Sequence, residues 1–246
     1  MLGSLLAIAA ALAQPPAHER ARWEVRYLGM TVGHVDATTE QRGEARVTTG
    51  AARSAPWYRP IYDLDDTVTS TWVPARGSLR YQARFREGRF HQDQDQRFGT
   101  DALVVEIGQR KKGSWVTWTD RLDPSPGAFD PIAAMQTVRT LDGPGPWVVP
   151  VFSGRSTQPL RVTHVATERL DHDLLGSVSV RVLDLQTDHR GELQQAGRFR
   201  VWVTDDPQRL LARAVVQTNV GAVRVELIEA ERLAASPAPE AAIAGP

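Results

Sequence analysis

Residues 81–98 read YQARFREGRFHQDQDQRF, and their alternation decides the fold. Tyr81, Ala83 and Phe85 interleave with Arg80, Gln82, Arg84 and Arg86, and beyond Glu87 and Gly88 the alternation resumes through Phe90, Gln92, Gln94, Gln96 and Phe98. Period two is the repeat of a β-strand, and two such runs around a glycine predict a hairpin. With Glu87 and Gly88 as its two-residue turn, Phe85 faces Phe90, Arg84 faces His91, Gln82 faces Asp93 and Arg80 faces Asp95. Each exposed cross-strand pair is worth about 0.2–1 kcal/mol, so the charges select alignment more than they stabilise it.

Working outward, the same signal recurs at Thr67–Val73, Leu103–Ile107, Trp115–Thr119, Leu160–Val165, Val178–Leu185, Phe199–Val203, Leu210–Asn219 and Val223–Ile228. Turn chemistry separates the runs at Lys112-Gly113, Asp205-Asp206-Pro207, Asn219 before Gly221, and His189-Arg190-Gly191. Many short strands joined by tight turns predict an all-β domain with an antiparallel sheet. One stretch departs from period two. Asp130 is placed to cap a helix beginning at Pro131, with Ile132, Met135, Val138 and Leu141 on one stripe before the stop Gly143-Pro144-Gly145-Pro146. So short a helix is marginal alone, so it is expected to lie on the sheet.

The chain has 246 residues with 29 basic and 29 acidic groups and no cysteine. Zero net charge provides no cationic face for a phosphate backbone, which argues against nucleic acid as a partner. Without cysteine there is no disulfide, thiolate metal site or thiol nucleophile. Met1–Ala13 (MLGSLLAIAAALA) is apolar, too short to span a bilayer, and ends in small residues. It reads as a signal peptide cleaved between Ala13 and Gln14, which places the product in the periplasm as a soluble protein with no membrane span. Residues 14–22 then form an extended terminus, 23–232 a single β domain and 233–246 a disordered tail.

Candidate chemistry is sparse. Asp63, Asp65 and Asp66 gather carboxylates without the spacing of a calcium loop. His172-Asp173 and Asp188-His189 are neighbours that a strand would point to opposite faces. Ser125 and Ser153 lack the Gly-x-Ser-x-Gly context of an exposed nucleophile. No dinucleotide or phosphate-cradling loop is present, so neither a cofactor nor a metal is expected and no catalytic residue is assigned. An Asp/His hydrolase site assembled by folding stays open as an alternative. Seven tryptophans and apolar groups on both sheet faces point to a cavity lined by Met135, Trp118 and Trp202, with lipid or another apolar envelope molecule as the partner. An assembly role in an envelope complex is the other alternative.

The early strand Tyr27-Leu28-Gly29-Met30-Thr31-Val32-Gly33, the 81–98 hairpin, the Asp130–Arg139 helix and the ending Phe199–Asp206, Arg209, Val220–Val223, Glu226-Leu227 together resemble a family of exported bacterial proteins known only as a domain of unknown function, DUF3108. The resemblance implies a curved antiparallel sheet or half-open barrel around a short helix, similar in outline to periplasmic lipoprotein carriers, and brings no activity. In the closing motif Asp205 and Asp206 are expected to accept backbone N–H groups in a turn, and Gly29, Gly33 and Gly221 to permit bends. One departure from the family pattern is the small-residue helix Asp130-Pro131-Ile132-Ala133-Ala134, which is expected to leave space beside it.

Overall fold

A computed structural model describes residues 18–74, 76–187, 199–218 and 221–231. The expected signal peptide and tail, and the turn residues His189, Arg190, Gly191 and Asn219, lie outside the described residues. The strands are β1 (His18–Tyr27), β2 (Met30–Arg42), β3 (Ala45–Ser54), β4 (Asp65–Val73), β5 (Gly77–Glu87), β6 (Phe90–Phe98), β7 (Leu103–Lys111) and β8 (Ser114–Leu122). After helix α1 (Pro131–Thr140) come β9 (Trp147–Phe152), β10 (Thr157–His172), β11 (Gly176–Thr187), β12 (Phe199–Thr204), β13 (Leu211–Thr218) and β14 (Gly221–Glu231). Residues 18–22, read from sequence as part of an extended terminus ahead of the domain, are the first half of β1, paired from His18↔Glu40 onward.

All fourteen strands form one antiparallel sheet in the order β8-β7-β6-β5-β4-β3-β2-β1-β14-β13-β12-β11-β10-β9. Two meanders meet where β1 pairs with β14, and β8 and β9 are the two edges. The sheet curls through β-bulges in β1, β5/β4, β10 and β12/β13, each of which bends its strand and raises the local twist. The connection from β8 to β9 carries α1 across the inner face, so that this all-β fold is a curved, open barrel holding one helix.

The expected hairpin forms two residues out of the expected register. Glu87 pairs with Phe90, Phe85 with Gln92, Arg84 with Asp93 and Arg80 with Arg97, so the turn is Gly88-Arg89 rather than Glu87-Gly88. Gly88 has φ +53 and Arg89 does not take a positive φ, the pattern of a type II′ turn, in which glycine takes the first central position. Placing Glu87 first and glycine second would give a type II turn, whose twist splays the strands. Because the slip is two residues, every side chain keeps its face. Arg80 still meets Asp95, now diagonally, with Nε and Nη2 at 3.0 and 2.6 Å.

The helix begins where the sequence places it. Asp130 caps it, its Oδ1 accepting the N–H groups of Ile132 and Ala133 at 2.9 and 3.0 Å. Its most buried residues are Ala133, Ala134, Gln136, Val138 and Arg139, whereas Ile132 and Met135 of the expected stripe are only half-buried. The alanines do not leave space. They let the helix approach closely enough to join Trp72, Phe129, Val149, Val162, Leu183 and Val201 in one core cluster.

Replacing Gly88 by Ala, at a position with open space around it, should lower the urea-derived unfolding free energy by about 1 kcal/mol through the positive φ alone. Arg89→Ala should stay within about 0.5 kcal/mol; equal costs at both positions would refute the II′ register.

Candidate functional site

The described interior is built around two polar anchors of α1. At its N-terminus the buried Asp130 carboxylate accepts, besides the two backbone N–H groups, the hydroxyls of Ser70 and Ser78 at 2.7 and 2.6 Å. Burial pushes this carboxyl above the usual carboxylate range, with the four donors pulling the other way. At its other end Arg139 forms a bidentate pair with Glu19 of β1, both N···O distances 2.8 Å, with the two side chains 3% and 5% exposed. Arg139 also donates to Gln136 Oε1 and to the Arg209 carbonyl. The network continues through Gln136 to Thr39 and from Thr39 to Thr48. Beside it Arg46 lies over Trp72, 5.7 Å from the ring centroid, and burial followed by the Arg139 charge lowers its pKa. Every polar group of the Asp130 and Arg139 anchors has a partner, the condition under which such burial is tolerated. This is a structural clasp, and the space between helix and sheet is filled by it and by the apolar cluster.

The three residues expected to line a cavity are not brought together. Met135 packs from α1 onto the main cluster. Trp118 packs with Leu103, Val105, Ile107 and Phe152 under the β7–β8 hairpin, with Lys111 Nζ 4.5 Å from its ring centroid. Trp202 lies on the opposite face of the sheet, against Leu170, Val180 and Ala212, donating its indole N–H to Glu168. The second cover expected for the two-faced part of the sheet is thus supplied there by the chain's own side chains. In the closing turn Asp206 accepts the N–H groups of Gln208 and Arg209 and the Thr204 hydroxyl, whereas the Asp205 carboxylate instead takes the Arg209 guanidinium. Gly221, at φ +129, opens β14 where a Cβ would meet the Tyr27 ring at 3.5 Å.

The other sequence candidates are likewise separated. His172 is buried with Nδ1 accepting the N–H groups of Leu174 and Leu175, and its Nε2 faces Glu226 Oε1 at 3.7 Å. Ser125 accepts a bond from Thr157. Asp65 pairs with Arg53, Asp63 with Arg59, and Asp66 accepts the Arg86 N–H. No group of three metal-ligating side chains occurs among the described residues.

What the sequence reading passed over is on the outer face. A cleft of about 510 Å³ runs across β4–β8. It exists because small outward residues, Thr67 and Thr69 on β4, Gly108 on β7 and Thr117 on β8, sit in register between long ones. The Trp115 ring folds over Gly108, where a Cβ would come within 2.8 Å of it, and remains 46% exposed. Arg86 lies 5.8 Å from its centroid and is held by Asp93 at 2.6 Å. At the far end Arg80 and Arg97 bracket Asp95 and Glu106. Arg84, exposed between Thr67 and Asp93, has no ion-pair partner among the described residues. The cleft therefore offers hydroxyls, a side-chain amide from Gln82, the Arg84 guanidinium, an indole and the arginine-paired carboxylates Asp93, Asp95 and Glu106, and no pairing of base with nucleophile among the described residues.

The family model described as "Protein of unknown function (DUF3108)" matches residues 22–228. No curated protein matches the chain. Among solved structures, the crystal structure of a β-barrel-like protein of domain of unknown function DUF1849 from Brucella abortus is similar in fold. Its TM-score is 0.59 at 12% identity, over 88% of this chain and 98% of that one. A hypothetical protein, CT021, from Chlamydia trachomatis aligns over 94% of both chains at 10% identity with a TM-score of 0.19, too low to bear on the fold.

Breaking the clasp by Arg139→Met should cost about 3–5 kcal/mol in urea unfolding by leaving Glu19 buried and unpaired. The double variant Arg139→Met with Glu19→Met should recover most of that loss; a double variant no more stable than the single would show that the pair's cost is not electrostatic.

Proposed function

The chain belongs to the DUF3108 family of proteins of unknown function, and on that premise we propose that it is an exported, non-enzymatic binding protein of the cell envelope, working in the periplasm. The observation that carries this reading is the outer-face cleft, which has the groups of a recognition surface and none of the convergence that acid–base or nucleophilic chemistry requires. Support for export comes from the apolar Met1–Ala13 run with its small-residue end, and no helix among the described residues is long and apolar enough to cross a membrane.

The ligand class follows from the lining. An apolar ligand, the expectation from sequence, finds its place under α1 taken by Ala133, Ala134 and Val138. The open cleft is lined by polar and apolar groups in equal measure, crosses five strands and therefore extends about 19 Å at roughly 4.8 Å per strand. A partly exposed indole beside hydroxyl, amide and guanidinium groups suits a chain of sugar rings, whose apolar faces stack and whose edges hydrogen-bond. The free Arg84 favours one carrying carboxylates. The occupant we propose is an acidic glycan of the envelope.

A second reading rests on β8. Among the described residues its outer edge carries no partner strand and most of its residues are exposed, so a β-strand from an assembly partner has a template there.

Isothermal titration with a short carboxylated N-acetylhexosamine oligosaccharide should give saturable binding that Trp115→Ala weakens at least tenfold. Arg84→Gln should weaken it several-fold, and Trp202→Ala, on the same face but far along the sheet, should leave it unchanged. No heat of binding, or equal loss from both tryptophan variants, would refute the glycan reading.

A further inference from the structure

In an antiparallel meander alternate turns lie at the same end, so the turns β1–β2, β3–β4, β5–β6 and β7–β8 form one rim of the barrel, whereas the β9–β10 turn lies inside against β6, its buried Gly154 facing Gln94 and Gln96. Six of the twelve large apolar residues that the described structure leaves exposed lie in or directly beside these turns: Leu28, Met30, Trp57, Ile61, Tyr62 and Phe90. Leu28 and Ile61 are each 70% exposed and Trp57 is 50% exposed.

This presentation is built rather than incidental. Leu28 occupies the first position of a two-residue turn at φ +50, followed by Gly29 at φ +81. Asn or Asp would be at ease there, and a bulky apolar residue is strained. Residues 55–62 are held in consecutive helical turns by N–H bonds from Tyr58 and Arg59 to the Ala55 carbonyl and from Ile61 and Tyr62 to the Tyr58 carbonyl. Four residues apart, Trp57 and Ile61 therefore lie on one side of that loop. The Trp57 indole N–H is tied to the Thr31 carbonyl at 3.1 Å, and the Trp57 and Tyr58 rings meet edge to face at 5.3 Å. Tyr62 donates to Glu87 at 2.5 Å and the Gly88 N–H bonds the Asp63 carbonyl, fastening this loop to the β5–β6 turn.

Charge separates the two ends. The turns of this rim carry Arg59, Arg89 and Lys112 against one acid, Asp63, 3.8 Å from Arg59, and of the charged residues beside them Lys111 is cationic while the acids Asp65 and Glu87 are engaged by Arg53 and Tyr62. The turns of the other rim carry Glu44, Asp101, Asp173, Asp205 and Asp206, with Arg76 and Arg209 against them. Apolar side chains at the tips of several rigid turns, a tryptophan and a tyrosine at their base, and cations around them match the depth profile of a bilayer interface. A flat protein partner would not call for separate projecting tips, and the acidic far rim orients the molecule on a negative surface. We propose that this rim docks the protein on the surface of an anionic lipid bilayer.

The test uses the full chain and sedimentation with vesicles of phosphatidylcholine, with and without phosphatidylglycerol. Binding should require phosphatidylglycerol and fall as salt is raised. Leu28→Ser with Ile61→Ser should weaken it at least tenfold with an unchanged melting temperature. Arg89→Gln with Lys112→Gln should weaken it about fivefold per charge. Leu174→Ser, an exposed apolar position on the other rim, should leave binding as it is. Failure to sediment, equal binding to neutral vesicles, or wild-type binding by the Leu28/Ile61 variant would overturn the proposal. So would a change of mass in light scattering caused by that variant, which would make a second copy of the chain the occupant of the rim.

Discussion

A guanidinium and a carboxylate 120 residues apart in sequence, Arg139 and Glu19, meet inside the barrel with nearly all their surface removed from water. The rest of the interior is arranged around that meeting. A ten-residue helix has little stability of its own, and here it is fixed at both ends by hydrogen-bonded side chains: Asp130 to Ser70 of β4 and Ser78 of β5, and Arg139 to β1. β1 is also the strand at which the two meanders join. One helix therefore ties the seam of the sheet to the first meander, while its apolar side packs on strands of the second. Such a pair adds little net stability over an apolar replacement. Its effect is on uniqueness, because only one placement of α1 satisfies both Asp130 and Arg139 and leaves no buried charge alone.

Most strands and the helix start were legible because they are local, whereas the segment Tyr27–Gly33, read as one early strand, holds the Leu28-Gly29 turn between β1 and β2. Period-two alternation marked every strand from β4 to β8 and from β10 to β14, and Asp130 followed by Pro131 marked the helix start. The hairpin register failed by one turn residue, since the choice between Glu87-Gly88 and Gly88-Arg89 rests on which turn type matches strand twist, and alternation is blind to a slip of two. The strand β1 was begun too late because His18–Arg22 alternates charged residues with one alanine, and what makes it a strand is pairing on both sides with β2 and β14.

The candidate site was hidden for a related reason. Trp115 and Trp118 lie three apart on one strand, hence on opposite faces, yet nothing in the sequence says which face is covered. The outer cleft arises from cross-strand neighbours, Thr67 beside Arg84 beside Asp93, and Glu106 and Gly108 on the next strand, whose positions relative to each other follow only from four consecutive registers. The Arg139–Glu19 pair is further still from sequence reach. A helix residue and an N-terminal strand residue reveal their partnership only once the sheet has curled.

Curling also explains why the outer cleft and the apolar exposure fall at one end. The β8–β9 connection enters and leaves through the acidic rim, and the turns there are occupied with holding the chain: the Gly77 backbone lies against Ala128, and the Ser78 N–H bonds the Ala128 carbonyl. Arg181 reaches to the carbonyls of Leu141 and Gly143 from the same side. The turns β1–β2, β3–β4, β5–β6 and β7–β8 of the opposite rim carry no such crossing among the described residues, so their tips project Leu28, Ile61 and Phe90. The cleft's Trp115 sits one residue past the start of β8, next to the Lys112-Gly113 turn of that rim. A molecule seated by its apolar tips would thus hold the cleft near the plane of the bilayer, with the indole and the free Arg84 turned along the surface rather than away from it. In that geometry a short reach suffices to meet a polymer lying close to the membrane, and the acidic rim, repelled by the same surface, keeps the barrel upright.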